Sequence, residues 1–326
     1  MTSVAVGGPA NDTVFAGCWD KRVWAWDLAG GAPRTYEGHV DFVKAVLCAN
    51  IGGTPCLISG GADKKIIVWE VASGRRLHVL QDAVVPMMAV QCLALDPVAS
   101  DGESVVLVSA GSDPHIRRWR VTLRDAEKLS ITTEGEDGEG EGARRDTILE
   151  HDTGVFRLVF DEEDDDVDLW TASADGTAKR LSRAGGFIAD DTLLHGDYVR
   201  AVAVERRLVA TAGRSEDIKI WDRVSGELRY VLEGHYDEVT DLVLVRDGDK
   251  GKERLVSVGI DGTVRIWGLG EEELKAAVAA MEKGREKTGM VVEEESDEGD
   301  GKTTGVLTAE EEAELAELMA DDDEDD

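Results

Sequence analysis

The stretch "GGADKKIIVWE", residues 60–70, places an aspartate in a short turn and a tryptophan six positions later, with basic and aliphatic residues alternating between them. The same arrangement returns in "GCWDKRVWAWD", "AGSDPHIRRWR" and "VGIDGTVRIWG". Two more copies are incomplete, since "ASADGTAKRLS" ends on Leu181 and "AGRSEDIKIWD" has Ser215 at the aspartate position. The chain therefore contains six copies of one unit.

The spacing of the copies indicates the architecture. They end at residues 26, 69, 119, 181, 221 and 267, and units of roughly 40 to 45 residues with a terminal Trp-Asp-like pair are typical of propeller blades. Segments such as "LVSVG" and "TVRIW" alternate with period two around a Gly/Asp turn, which predicts strands. A blade cannot bury its faces alone. We therefore predict one all-β propeller of six recognisable blades over residues 1–270.

A second signature is a Gly-His pair that opens the repeat, as in "EGHVDFV" and "EGHYDEV", with weaker forms in "LEHDTGV" and "LLHGDYV". With both signatures the chain resembles the WD-repeat family of β-propellers over residues 1–270. The resemblance implies a buried hydrogen-bonded chain of histidine, Ser/Thr, aspartate and tryptophan. The sets that match completely are His39, Ser59, Asp63 and Trp69, and His235, Ser257, Asp261 and Trp267.

These aspartates are interpreted as structural, because a buried carboxylate without partners would cost several kcal/mol. Asp175 belongs to a set in which Leu181 replaces the tryptophan. We expect Asp175 to contribute less to stability than Asp261.

The resemblance also implies where partners bind. Family members bind peptides or proteins across the narrow face, through residues just after the repeat histidine and just before the turn aspartate. The matching positions are Trp19, Phe42, Met87, Tyr198, Arg214 and Tyr236. Aromatic residues and arginine are favoured in binding hot spots, although any single one of them can equally be an ordinary surface residue.

Signals for catalysis and cofactors are absent from the sequence. It contains no GxxxxGK[ST], GxSxG or HExxH motif, and its four cysteines form no CxxC pair. We expect a non-catalytic protein with no metal and no cofactor. The N-terminal residues lack a secretory pattern and no apolar run approaches 18 residues, so the expected location is the cytoplasm or nucleus, without membrane contact.

The formal net charge is -32, and residues 271–326 contain 22 acidic and 5 basic residues. Such a chain repels phosphate backbones, which disfavours direct nucleic-acid binding. A local basic cluster, "IRRWR", contains Arg117, Arg118 and Arg120. We interpret it as a solvated strand edge in preference to a binding patch.

Two segments depart from the repeat. Residues 123–146 carry a Gly/Glu run with few apolar residues, which predicts a disordered acidic insertion. Residues 271–326 are predicted to be an acidic extension with two short helical segments. Leu274, Val278 and Met281 give the first a stripe expected to pack on the propeller before Gly284 ends it. Leu315, Leu318 and Met319 give the second a stripe that either binds a partner or belongs to a solubilising, disordered tail.

Closure of the ring has two alternatives. "SVAVGG" near the N-terminus reads as an innermost strand, and no outer strand follows "RIWGLG". Either "GMVVE" at 289–293 returns as the outer strand of the sixth blade, which we favour, or the ring stays open and a partner supplies missing strands as a seventh blade.

The leading functional hypothesis is an interaction scaffold or adaptor subunit that binds proteins through the narrow face and the acidic C-terminal helix. The alternative is an acidic escort for a basic client such as a histone or a ribosomal protein. A substrate receptor of a cullin ubiquitin ligase is disfavoured, because the family motif needs Arg or Lys two residues after the Trp-Asp pair, where Val224 and Ala29 stand.

Overall fold

Antiparallel hairpins build the molecule, as the period-two alternation predicts. The computed structural model describes residues 2–132, 144–162, 166–246 and 253–288. In these residues it contains six sheets of sequentially paired strands, one small two-stranded sheet and one helix. The prediction of an all-β propeller with six recognisable blades is confirmed.

The first three sheets each pair four consecutive strands. The first contains β1 (Ser3–Gly7), β2 (Thr13–Gly17), β3 (Arg22–Asp27) and β4 (Arg34–Glu37). The second contains β5 (Val43–Ile51), β6 (Thr54–Gly61), β7 (Ile66–Glu70) and β8 (Arg76–Leu80). The third contains β9 (Val90–Leu95), β10 (Val105–Gly111), β11 (Arg117–Val121) and β12 (Ala126–Leu129).

The later sheets follow a short hairpin of β13 (Ile131–Thr132) and β14 (Arg144–Arg145). The fourth contains β15 (Val155–Phe160), β16 (Leu169–Ser173), β17 (Thr177–Ser182) and β18 (Ile188–Leu194). The fifth contains β19 (Val199–Val204), β20 (Leu208–Gly213), β21 (Ile218–Asp222) and β22 (Leu228–Leu232). The sixth contains three described strands, β23 (Val239–Arg246), β24 (Glu253–Gly259) and β25 (Val264–Gly268), and the helix α1 spans Glu271–Thr288.

Apolar faces of consecutive sheets pack against each other. The innermost strands β1, β5, β9, β15, β19 and β23 lie side by side in that order. In the first interface, Phe15 and Val23 of the first sheet meet Leu57, Ile67 and Trp69 of the second. Four further clusters fill the interfaces from the second sheet to the sixth. The core of the propeller is therefore five inter-sheet layers.

Each innermost strand from β5 onward carries one extra residue at the same level of the strand. The bulged residues are Lys44, Gln91, Phe156, Arg200 and Thr240. A bulge bends and twists its strand and re-aims a side chain. The bulged residue Arg200 contacts its neighbours on both sides. Its guanidinium lies 4.5 Å from the centre of the Phe156 ring, and its Nε lies 2.8 Å from a Glu238 oxygen.

Within the described residues the ring is open between the first and sixth sheets. No apolar cluster of the described residues joins these two sheets, and their outward faces remain in solvent. Val4 and Val6 of β1 are 59% and 54% exposed, and Val264 and Ile266 of β25 are 66% and 61% exposed. The segment 289–293, on which the favoured self-closure depends, lies outside the described residues. A strand pairing with the edge of β25 would extend the sixth sheet without covering either face.

The helix α1 packs beside the sixth sheet. Leu274 is buried, and Val278 and Met281 pack with it against Trp267 and Tyr230, at the spacing that the sequence predicts. One boundary was wrong, since the helix continues through residue 284 to Thr288. Within the described residues no helix is long and apolar enough to cross a membrane.

The predicted insertion at 123–146 is shorter than the sequence indicates. The segment Ala126–Leu129 is the outer strand of the third sheet, and β13 pairs with β14. Leu123 and Ala126 pack on the core between the second and third sheets. The interpretation of the whole segment as disordered is therefore wrong at both ends, and residues 133–143 lie outside the described part of the chain.

The interpretation of the basic cluster as a solvated edge is wrong for two of its three arginines. The Arg117 side chain is almost fully buried, and its guanidinium donates to Asp113 at 2.9 Å and to Asp82 at 3.3 Å. Arg118 donates to the buried Asp96 at 3.2 Å. Arg120 alone is half exposed, beside Glu127.

Charged pairs also join neighbouring sheets. Arg183, which follows β17, donates two hydrogen bonds to Asp96 at 3.1 and 2.7 Å, and Arg118 reaches the same carboxylate. Both guanidinium groups lie over the ring of Phe187. Arg223 pairs in the same way with Asp161 across the next interface. Buried carboxylates at the ends of two innermost strands are thus neutralised by the following sheet.

Replacing Arg117 with Ala should destabilise the propeller by about 3 to 5 kcal/mol, because it leaves the buried carboxylates of Asp82 and Asp113 short of a partner. The matched control is Arg120→Ala on the same strand, which removes an exposed pair worth about 0 to 1 kcal/mol. Urea unfolding of both variants measures the difference. Equal losses would contradict the buried position of Arg117.

Candidate partner-binding face

A chain of hydrogen bonds runs through the second sheet from a loop to its core. His39 Nδ1 lies 2.9 Å from Asp63, and His39 Nε2 lies 2.8 Å from Ser59 Oγ, which also accepts the indole N–H of Trp69 at 2.9 Å. All of these bonds are satisfied when Nδ1 carries the proton and the serine hydroxyl donates to Nε2. Burial alone would raise the pKa of Asp63, but hydrogen bonds from His39 and the Val40 amide hold it below its usual value.

The sixth sheet repeats this geometry. His235 bonds Asp261 at 2.9 Å and Ser257 at 2.8 Å, and Trp267 donates to Ser257 at 2.9 Å. A glycine allows the approach, since a Cβ at Gly259 would lie 2.8 Å from both the Asp261 carboxylate and the His235 ring. The histidine, hydroxyl, carboxylate and indole are therefore joined in one network here too.

The fourth sheet lacks the tryptophan but not the network around its aspartate. His151 bonds Asp175 at 2.8 Å and Thr171 at 2.7 Å. Thr177 donates to Asp175 through its backbone amide and its hydroxyl. The missing indole would have contacted the hydroxyl of Thr171 and not Asp175. The absence of the tryptophan is therefore no reason to expect a smaller contribution to stability from Asp175 than from Asp261.

Each turn aspartate also holds a loop. A carboxylate oxygen of Asp63 accepts the Val40 amide at 3.0 Å, and Asp261 accepts the Tyr236 amide at 3.1 Å. Asp175 accepts the amide of Asp152 at 3.2 Å in the same way. In all three, the bonded amide belongs to the residue after the histidine. The buried network therefore fixes the backbone from which side chains project into solvent.

In the third sheet the turn aspartate is bonded by an arginine and not by a histidine. The prediction that Met87 lies on the binding surface is wrong. Met87 is only 5% exposed and packs in the core between the second and third sheets. It stands at the histidine position, and Arg117 supplies the donor that Asp113 would otherwise lack. The next residue, Met88, is 46% exposed and its amide donates to Asp113 at 2.9 Å. The surface position is Met88.

The fifth sheet has a neutral network. His195 bonds Thr211 and Ser215, each at 2.9 Å, and Trp221 donates to Thr211 at 2.7 Å. Ser215 replaces the aspartate, so the ring nitrogens bond to two hydroxyl groups and to no carboxylate. Burial, with the positive charge of Lys219 as a smaller cause, lowers the pKa of His195 to about 4. This histidine is uncharged at neutral pH.

Exposed rings and arginines pair at the end of the propeller where these turns lie. The rings of Trp19 and Phe42 stack with their centres 5.8 Å apart, and both are exposed. The Arg214 guanidinium lies 5.6 Å from the centre of the Tyr198 ring. The aromatic end, as we call it, comprises Trp19, Phe42, Tyr198, Arg214 and Tyr236.

Two surface residues escaped the sequence reasoning. Arg265 lies 5.8 Å from the Tyr236 ring, and Met88 replaces Met87. The alternation of β25 could have placed Arg265 on the face of Trp267, two residues on. The predicted Leu315, Leu318 and Met319 lie outside the described residues.

Side chains suited to metal or redox chemistry are dispersed. Among the residues that the structure describes, no group of three or more His, Cys, Asp or Glu side chains is placed to hold a metal ion. The four cysteines are free, and burial raises the pKa of the Cys48 and Cys92 thiols to about 12. Those two thiols are not nucleophilic at neutral pH.

Comparison with known proteins agrees with this geometry. The family model for the WD domain, G-beta repeat, matches residues 31–70 and 226–268, which are the repeats with both complete networks. Two repeats of this chain therefore match the WD-repeat family model, and its fold is that of a WD-repeat β-propeller. The solved WD40 propeller domain of Doa1 superposes with a TM-score of 0.60 at 19% identity, over 83% of this chain and 79% of that one, which shows the fold alone.

Relatives of this chain include a WD repeat-containing protein and a ribosome biogenesis protein. An uncharacterized WD repeat-containing protein of Schizosaccharomyces pombe is 29% identical over 310 residues, 94% of this chain and 72% of the relative. The ribosome biogenesis protein ytm1 of Botryotinia fuckeliana is 24% identical over 283 residues. That match covers 79% of this chain and 57% of the ytm1 protein.

Replacing Asp175 or Asp261 with Ala should lower the denaturation midpoint by similar amounts, because each carboxylate bonds a buried histidine, a threonine and a loop amide. Asp20→Ala is the control, since Asp20 lies in an equivalent turn but is exposed and bonds only Trp24 and the Arg22 amide among the described residues. A clearly smaller loss for Asp175 than for Asp261 would restore the importance of the missing tryptophan.

Acid should destabilise the protein through His195. The unfolded imidazole, with its ordinary pKa of 6.5, takes up a proton as pH falls towards 4, whereas the folded one stays neutral. Stability is therefore full above pH 6.5 and falls below it. Relative to His195→Gln, which cannot titrate, the native protein should lose about 2 kcal/mol between pH 7 and pH 5 in urea unfolding. Parallel pH profiles would contradict the buried neutral ring.

Proposed function

We propose that this chain is a non-catalytic interaction scaffold, an adaptor subunit that binds other proteins through its aromatic end. The observation that carries this proposal is the set of exposed rings at one end of the propeller. Two of them, Phe42 and Tyr236, lie on loops whose amides bond to the buried aspartates Asp63 and Asp261. Residues 271–326, with their excess of carboxylates, provide a second and weaker contact. The proposed location is the cytoplasm or the nucleus.

Rigid presentation is what makes these rings suited to binding. Tyr236 projects from a backbone amide that Asp261 fixes, so its ring loses little conformational freedom when a partner docks. Stacking restrains the rings of Trp19 and Phe42 in the same way. Large aromatic side chains and arginine contribute most of the binding energy in many interfaces. The aromatic end thus offers several preformed anchors.

The chemistry around the rings favours a partner segment with apolar and basic side chains. Asp41, Asp197 and Asp237 each lie next in sequence to a ring of the aromatic end. The Asp41 and Asp197 carboxylates accept the amides of Phe42 and Tyr198 at 2.8 and 2.7 Å. A lysine or arginine of the partner would find a carboxylate beside each apolar anchor. The match to a ribosome biogenesis protein is consistent with work inside a multiprotein assembly.

A second candidate function is an acidic escort for a basic client such as a histone or a ribosomal protein. The net charge of -32 favours it, because complementary charge speeds encounter and competes with nucleic acid for the client. Its binding would be carried by many exposed carboxylates and not by a few rings. Salt therefore separates the two candidates, since exposed charges are screened within about 8 Å at physiological ionic strength.

Changing Phe42, Tyr198 and Tyr236 together to Ala should remove partner proteins whose capture resists high salt, because aromatic anchors act through desolvated packing. The matched control changes Val79, Ile188 and Val224, which are equally exposed apolar residues away from the aromatic end. Capture on immobilised full-length protein, quantified by mass spectrometry at low and high salt, gives the measurement.

Deleting residues 306–326 in the same assay should remove only salt-sensitive partners. If the triple variant keeps its salt-resistant partners, the scaffold proposal fails at the aromatic end. If high salt removes every partner from the native chain, the acidic escort is the better description.

A further inference from the structure

Two apolar sheet faces border the opening between the first and sixth sheets. On the first sheet, Val4 and Val6 of β1 stand in register with Ala16 and Val14 of β2, and these with Trp24 and Trp26 of β3. On the sixth sheet, Val243 of β23, Val256 of β24 and Ile266 of β25 form one row, and Val258 pairs with Val264 beside it. The centre of each face is apolar, and it is bordered by Asp241, which pairs with Val258, and by Thr35, which pairs with Trp24.

Several residues on these faces occupy positions that are buried in other sheets of the ring. Trp26 matches Trp69 of the second sheet, and Val14 matches Leu57, both of which pack against the preceding sheet. Ile266 matches Ile220 of the fifth sheet, which packs against the following one. The sequence therefore keeps core residues at positions that the described residues leave in solvent.

We propose that this opening holds one four-stranded antiparallel β-sheet, apolar on both faces and supplied by a partner polypeptide, which closes the ring as a seventh sheet. A single sheet in this place presents one face to Trp24 and Trp26 and the other to Val264 and Ile266. It continues the five established interfaces in both directions. One inserted sheet thus buries the exposed apolar faces of both the first and the sixth sheet.

The composition of residues 289–326 argues against this chain as the source of that sheet. The segment contains 17 acidic residues, no aromatic residue, and only short apolar runs such as "MVV" and "VL". A sheet with two apolar faces needs apolar residues at nearly every position, as β7 (Ile66–Glu70) has with "IIVWE". Burying carboxylates between two valine-rich faces would cost several kcal/mol each. A second copy also fits poorly, because its six sheets already belong to its own ring.

The first sheet offers the firmer anchor for the partner. The indole rings of Trp24 and Trp26 stack with their centres 6.1 Å apart, and Trp24 donates its N–H to Asp20 at 2.7 Å. The rings are thereby held in one orientation on the open face. Rigid, half-buried tryptophans are the residues most enriched in binding hot spots.

This inference goes beyond the proposed scaffold function and can fail separately from it. Neither face of the opening contains a residue of the aromatic end. Variants of Phe42, Tyr198 and Tyr236 test the scaffold, and variants of Val4 and Ile266 test the opening.

The first experiment supplies a sheet artificially. A second copy of residues 38–80, which form the second sheet, is joined by a flexible linker ahead of residue 2 of the full chain. If the opening fits one sheet, amide exchange in β1 and β25 slows by about tenfold or more, because the apolar surface of both faces is removed from water. The control carries Ile58→Asp and Ile67→Asp in the added copy, one change on each of its faces. Unchanged exchange in β1 and β25 with the unaltered copy overturns the proposal.

The second experiment identifies the natural occupant. A photo-reactive amino acid replaces Val4 or Ile266 in the full chain within its own cells, and Val224 serves as an exposed control position. The expected result is that Val4 and Ile266, but not Val224, cross-link to one segment of about 40 residues in a single other polypeptide. Cross-links to residues 289–326, to a second copy, between the two faces, or to nothing would each overturn the partner-supplied sheet.

Discussion

A sheet with two apolar faces needs a neighbour on each side, and this requirement governs the whole molecule. Near-continuous apolar strands such as β7, "IIVWE", make both faces of a sheet apolar. The sheets therefore stack in chain order and bury five layers between them. Six sheets in an open array leave one face uncovered at each end. Val4 and Ile266 are exposed because they lie on these two uncovered faces, and not because their own strands are irregular.

The buried aspartates connect that core to the surface. Asp63 and Asp261 are satisfied from the inside by a histidine, and from the outside by the amide of the next loop residue. Loss of the carboxylate would therefore loosen the core and the binding loop together. This coupling explains how a repeat selected for folding also presents side chains at a defined place, while the identity of those side chains sets the partner.

Much of the fold could be predicted from the sequence because its signals are local and repeated. The turn aspartate, the tryptophan six residues later and the Gly-His pair indicate six blades without any knowledge of long-range contacts. The misassigned features depend on distant partners. Arg117 reads as a surface cation until Asp82, 35 residues away, and Asp113 surround it. Met87 reads as a surface residue because the missing histidine leaves the register of that loop undetermined.

Hydrogen exchange along the uncomplexed full-length chain tests the central claim most directly. In an open array the first and sixth sheets each have one interface and the inner sheets have two, and the stability of a repeat depends on its nearest neighbours. The account predicts the slowest exchange in β9–β11 and β15–β17, with protection declining towards β1–β3 and β23–β25. Equal protection in all six sheets would contradict it, because only a closed ring gives every sheet two neighbours.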